Sequence, residues 1–167
     1  MRRVVLIVIP TFVVITYFLY RSLGGGAELQ FELVDLPETT IAGEWFEGRA
    51  ASPDLEKLFF QMRDASSFED SVLLTVITVP TQKEDTVRQF IGILAEPKDS
   101  AEAFTIPSGQ YVIAIMDMHT AVRPSPESVA EDASEFAASS GLSLSSERDI
   151  QMFTSESEIR VLFRVEE

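Results

Sequence analysis

Near the C-terminus, "DIQMF" sets Asp149, Gln151 and Phe153 at alternate positions. In a β-strand successive side chains point to opposite faces, so these three share one face and Ile150 and Met152 the other. "YVIAIMDMH" does the same with Tyr111, Ile113, Ile115, Asp117 and His119. Trp45, the single tryptophan, stands between Glu44 and Phe46. Aromatic rings beside a carboxylate or an amide suit a small-molecule box, in which apolar surface holds the ligand and a few polar groups orient it. Trp45, Tyr111, Gln151, Phe153 and Glu44 are therefore the candidate ligand-binding residues. The competing reading is that Trp and Phe in strands are core and that Glu44 faces solvent.

Catalysis has thinner support. Asp117 and His119, two apart on a strand, form a possible acid–base pair. No Gly-x-Ser-x-Gly elbow supplies a nucleophile, and the glycine triplet Gly24–Gly26 does not follow a strand as a phosphate loop must. The chain has no cysteine and one histidine, which removes disulfides, thiolate chemistry and multi-His metal sites. No cofactor or metal is expected.

Charge narrows the partners. Of 13 basic residues, Arg2, Arg3 and Arg21 lie in the first 27 positions, where none of the 27 acidic residues falls. Residues 28–167 thus carry a net −17. Such a surface repels phosphate backbones and anionic headgroups, so no nucleic-acid partner is expected.

The N-terminal segment is of another kind. Val4 to Tyr20 holds no charge, follows two arginines and ends on Tyr17 and Tyr20, rings that favour a membrane interface. Its length suits a bilayer core better than a cleaved signal peptide, and no Ala-x-Ala-like site follows. The expected organisation is a transmembrane anchor over 1–22, with the membrane met through residues 4–20, a flexible glycine tether over 23–30, and one domain over 31–167. The surplus of N-terminal arginine places that domain outside the cytoplasm.

Within the domain one start signal occurs twice. "SPDLEKLFFQM" and "SPESVAEDASEFA" each read as a Ser N-cap, Pro in the first helical position and an acid in the first turn. Leu55, Leu58, Phe59 and Met62 form the apolar stripe of the first helix, and Val129, Ala133, Phe136 and Ala137 that of the second. Strands are expected at 71–80, 86–95, 103–119, 148–153 and 158–166, with an extended run over 31–46 broken at Pro37 and Gly43. Polar connections are expected at 63–70, 81–85 and 154–157. Each half, about 31–95 and 103–167, reads strand–helix–strand–strand. The fold class is α+β, two repeats giving antiparallel sheet with helices on one side.

With "TIPSGQYVIAIM", the helix from Ser125, the Gly141–Leu142 break and "DIQMFTSESEIRVLFRV" in view, residues 31–166 resemble the GyrI-like (gyrase-inhibitor-like) small-molecule-binding domains. These are the effector-binding modules of multidrug-responsive transcription regulators. The resemblance implies two repeats about a pseudo-two-fold axis with a ligand cleft between them. It also implies a carboxylate facing cationic ligands, in a Glu-aliphatic-Tyr strand; here that stretch is Gln151-Met152-Phe153. An amide donates and accepts hydrogen bonds but does not neutralise a cation. The expected ligand is thus a small hydrophobic or aromatic molecule, neutral or cationic, with the neutral class the better match to Gln151. Some members of the family are hydrolases using a cleft Glu, which Gln151 disfavours here. The alternative is a protein-interaction module, an acidic domain docking a protein partner through a sheet edge.

Overall fold

The computed structural model describes residues 2–66, 73–81, 83, 85–94, 102–145, 149–155 and 158–166, with the side chains of 2–8 and 10 outside the description. Parts of the predicted connections at 63–70, 81–85 and 154–157, and the predicted strand ends at 71–72, 95 and 148, lie outside the described residues.

Among the described residues the α-helices are α1 (Arg2–Ser22), α2 (Pro53–Ala65) and α3 (Pro126–Ser139). The strands are β1 (Gln30–Leu36), β2 (Thr39–Arg49), β3 (Leu74–Val79), β4 (Thr86–Ile93), β5 (Glu102–Ile106), β6 (Gly109–Asp117), β7 (Asp149–Phe153) and β8 (Glu158–Arg164). The duplicated start signal is a pair of helix caps. Ser52 accepts from the Asp54 N–H at 3.3 Å, and Ser125 accepts from the Ser128 N–H at 3.3 Å. Proline follows each, where a missing N–H costs nothing.

The eight strands form one antiparallel sheet in the order β1-β6-β8-β7-β3-β4-β2-β5. Exchanging β1 with β5, β2 with β6, β3 with β7 and β4 with β8 reverses that order onto itself. The sheet therefore carries a pseudo-two-fold axis between β7 and β3. The halves differ from the strand–helix–strand–strand expectation by one strand each. Pro37 and Pro107 cannot donate to a ladder and cut the runs 31–46 and 103–119 in two. The severed strands change partners: β1 pairs with β6 and β5 with β2.

Only a few residues join β1 to β2, which stand near opposite ends of the strand order, so the sheet must curl until its edges approach. The interior of that curl is a dry cluster of Ile41, Ile77, Phe90, Ile106, Tyr111, Ile113, Ile150 and Leu162, with Val34 of one edge strand and Phe104 of the other packed against it. The helices cover the opposite face. On α3, Val129, Ala133 and Ala137 are buried against Val112, Ala114 and Met116 of β6 and Val161 and Phe163 of β8. On α2 no residue is fully buried, and Leu55, Leu58, Phe59 and Met62 rest against Leu74, Val76 and Ile91.

Where the sequence predicts a flexible tether, Leu23–Gly26 form a hydrogen-bonded turn. Gly24 and Gly26 adopt φ of 86° and 78°, and the Gly25 N–H donates to the Tyr20 carbonyl at 2.9 Å, capping α1. The His119 N–H donates to the Leu23 carbonyl at 3.0 Å, tying this turn to the end of β6. The described side chains of α1, among them Ile9, Phe12, Val13, Val14, Ile15 and Phe18, are exposed on every side of the helix. Among the described residues no helix is long and apolar enough to cross a membrane.

Gly43 and Gly92 face one another across β2 and β4. A Cβ on Gly43 would collide with the Ile91 carbonyl, and one on Gly92 with the Ala42 carbonyl. Backbones this close leave room for glycine alone, which is how a sheet bends sharply. Gly92→Ala is expected to lower stability by about 2 kcal/mol, as overpacking does. Urea unfolding followed by far-ultraviolet dichroism measures it, and an unchanged midpoint would contradict the close backbone approach.

Candidate functional site

The central strands β7 and β3 form the floor of a groove between α2 and α3. On β3, Leu74 and Val76 face the helices, while Ile77 faces the curled interior. On β7, Gln151 and Phe153 face the groove and Ile150 and Met152 the interior. Under α2 the groove opens into a cavity of about 590 Å3, lined by Leu55, Phe59, Val76, Gln89, Gln151 and Phe153 among others. Its polar lining groups are Ser52, Glu56, Gln89 and Gln151. The Gln89 amide donates to Thr78 Oγ1 at 3.1 Å, which orients it across the sheet.

Pseudosymmetry would put an equal cavity under α3, but there it is only about 130 Å3, lined by Val129, Asp149, Gln151 and Phe163 among others. The two helices present different faces to the sheet: Val129, Ala133 and Ala137 of α3 are buried against it, whereas no residue of α2 is fully buried.

Phe59 of α2 and Phe153 of β7 meet edge to face, ring centroids 5.6 Å apart at 73°. One ring comes from each half. Together they wall the cavity under α2 from a neighbouring cavity of about 640 Å3 at the far end of α2, to which Arg63 and Arg123 contribute. The Arg123 Nε donates to the Met118 carbonyl at 3.2 Å, and burial holds its guanidinium below the usual value. Arg63 lies over the Phe60 ring at 4.6 Å and pairs with the exposed Asp64 at 3.1 Å.

Of the sequence candidates, Gln151 and Phe153 meet in this groove. Three do not. Trp45 shares the opposite face with Ile41 and packs edge-on against Phe90 and Phe104 at 5.3 and 6.0 Å, covered by the Arg88 guanidinium at 4.8 Å. Tyr111 is fully buried in the curled interior, its hydroxyl donating to the Pro107 carbonyl at 2.9 Å. Glu44 points to solvent from β2. Strand alternation assigns these residues to faces but does not say which face the curl encloses. Phe59, Arg63 and Arg123 were not among the candidates. Phe59 and Arg63 stand four apart on α2, hence on one helix face, and that spacing was the available signal.

Asp117 and His119 do not converge on the groove. The His119 Nδ1 accepts from the Ala121 N–H at 3.2 Å, capping a 3-10 turn over Thr120–Val122. Among the described residues no group of three acidic, His or Cys side chains forms a metal site.

No protein-family model and no curated protein matches the sequence. Solved structures do. SAV2435 bound to tetraphenylphosphonium is 10% identical, with 82% of this chain and 94% of that chain covered and a TM-score of 0.51. The EcmrR C-terminal domain is 12% identical, covering 83% and 98%, with a TM-score of 0.53. A hydrolase from Listeria innocua is 8% identical, covering 82% and 92%, with a TM-score of 0.53. The likeness at such identities is one of fold, and the fold is consistent with the GyrI-like one. A longer EcmrR chain in complex with DNA is matched over 65% of its length.

Asp149, half-buried at the α3 end of the groove floor, has its carboxyl pushed above the usual range, first by burial and then by the Glu127 charge. A carboxyl whose pKa rises on folding adds stability when protonated and loses it as pH climbs through that raised value. Asp149→Asn is therefore expected to raise Tm at pH 7, and the gain should vanish as pH falls toward the unfolded value of 3.8. Paired thermal melts between pH 7 and 3.5 check it; a gain independent of pH would contradict the burial argument.

Proposed function

We propose that the chain is a small-molecule-binding domain whose ligand lies in the groove between α2 and α3, held at a membrane by α1. The observation that carries the reading is the cavity of about 590 Å3 at the seam of the two repeats, lined by apolar side chains together with two amides, Gln89 and Gln151, the Ser52 hydroxyl and the Glu56 carboxylate. Its size and composition match those of small-ligand sites. A neighbour in fold supports it: SAV2435 holds tetraphenylphosphonium. The ligand proposed for the Gln151 cavity is hydrophobic or aromatic, neutral or cationic: neither amide offsets a buried positive charge, and Glu56 is the carboxylate of the lining that would face one. The reading is of a binder without catalysis, and without nucleic acid as a partner, given a net −17 over residues 28–167.

Membrane attachment through residues 4–20 belongs to the same proposal. A helix apolar on all sides lacks the polar face that a soluble protein's surface helix shows. At about 1.5 Å per residue the uncharged run from Val4 to Tyr20 reaches about 26 Å, most of a bilayer core, although the described part of α1 alone falls short of a span. Arg2 and Arg3 against Arg21 put the domain outside the cytoplasm.

A thermal-shift screen of the full chain in phosphatidylcholine nanodiscs tests the reading. A neutral aromatic at a hundred times its Kd is expected to add about 2.7 kcal/mol. Gln151→Glu is expected to raise affinity for tetraphenylphosphonium by about ten-fold, since it restores a carboxylate beside the ligand. Unchanged cation affinity in that variant would take Gln151 out of the site, and no stabilisation by neutral or cationic aromatics would remove the binding function.

A further inference from the structure

The second cavity, beyond the Phe59–Phe153 wall, has a different chemistry. Its charged lining residues among those described are both arginines, Arg63 and Arg123, joined by the hydroxyls of Thr120 and Ser155. The aromatic wall gives it an apolar side. We propose that this cavity binds the anionic head of an aromatic carboxylate or sulfonate, with the ring of the ligand packed on Phe59 and Phe153. The inference rests on the groove being a ligand site and adds a charge preference at one end of it.

Both guanidinium groups are held rather than loose. The Met118 carbonyl fixes the Nε of Arg123. Phe60 stacks under Arg63, and the Asp64 carboxylate takes its Nε and Nη2, which leaves the Nη1 edge for a second acceptor. That exposed pair between neighbouring residues is weak and competes little with a ligand anion. The C-terminus of α2 places about half a negative charge nearby and Asp64 a full one, together less than the two positive charges of the guanidinium groups. The net negative charge of the domain acts at longer range and is screened beyond about 8 Å at physiological salt. Asp149 does not line this cavity; it lines the small one under α3, to which Arg123 also contributes. Planar guanidinium forks suit carboxylate and sulfonate oxygens, and a cation entering here would meet two like charges.

The test is a calorimetric titration of the full chain in phosphatidylcholine nanodiscs with three ligands of one shape: 2-naphthoate, 2-naphthamide and 2-naphthylmethylammonium. The carboxylate is expected to bind about ten-fold more tightly than the ammonium. Arg63→Gln and Arg123→Gln should each weaken naphthoate by about five-fold or more and leave naphthamide within about two-fold. Arg63 is exposed, so its variant keeps the fold and reads cleanly even if Arg123→Gln does not. An ammonium that binds as tightly as the carboxylate, or naphthoate unaffected by Arg63→Gln, overturns the inference. Naphthamide binding without a carboxylate preference overturns it while leaving the groove as a ligand site; failure of all three ligands overturns both.

Discussion

The exchange of β1 and β5 between the repeats governs the rest of the structure. Two proline-containing turns, at Pro37 and Pro107, sever each leading strand from the one that follows it. Each freed strand then completes the sheet of the other half. Neither repeat keeps its own edge, so neither can close a core alone. The shared interior cluster draws on both halves for the same reason, with Ile41, Ile77 and Phe90 from the first and Tyr111, Ile113 and Leu162 from the second. Curling the sheet around that cluster commits one face to a dry interior and leaves the other to the helices. The functional groove follows from this division, since it lies at the seam, on the helix-covered face, over β7 and β3.

Pseudosymmetry alone would give two equal grooves. The sequences of the two helices break the equality. Small residues on α3 are buried against β6 and β8, and the larger ones on α2 cover Leu74, Val76 and Ile91 without being fully buried. The ring that α2 contributes, Phe59, reaches Phe153 of the other half, so one contact joins the repeats and partitions the open space. The resulting groove has two amides and the Glu56 carboxylate under α2, and two arginines beyond the Phe59–Phe153 wall, one of which, Arg123, also lines the small cavity with Asp149. A site divided in this way selects orientation as well as class, because opposite charges are favoured on the two sides of the wall.

Much of this was legible in the sequence where the cause is local. Both N-caps and both apolar stripes follow from residues within one helix, and the sharing of a face by Gln151 and Phe153 follows from strand alternation. Trp45 and Tyr111 show where local reasoning stops. They too share a face with apolar neighbours, but whether that face is open or enclosed depends on strand pairings far apart in sequence. The strand breaks had visible markers in Pro37 and Pro107; the change of partner they permit had none. Arg63 sits one turn beyond Phe59 in a segment that reads as a polar connection, and its place in a cavity depends on Arg123 approaching from the other half. The glycines after α1 read as a tether by composition, yet their left-handed φ values serve a helix cap docked on β6.

The central claim is that ligand is held at the seam between the repeats and not within the curled interior. Amide chemical-shift mapping of the full chain in nanodiscs, titrated with 2-naphthamide, addresses it directly. Shifts concentrated at Phe59, Gln89, Gln151 and Phe153, with Trp45 and Tyr111 unmoved, are the predicted result. Shifts centred on Trp45, Phe90 and Tyr111, or scattered without a focus, would contradict it.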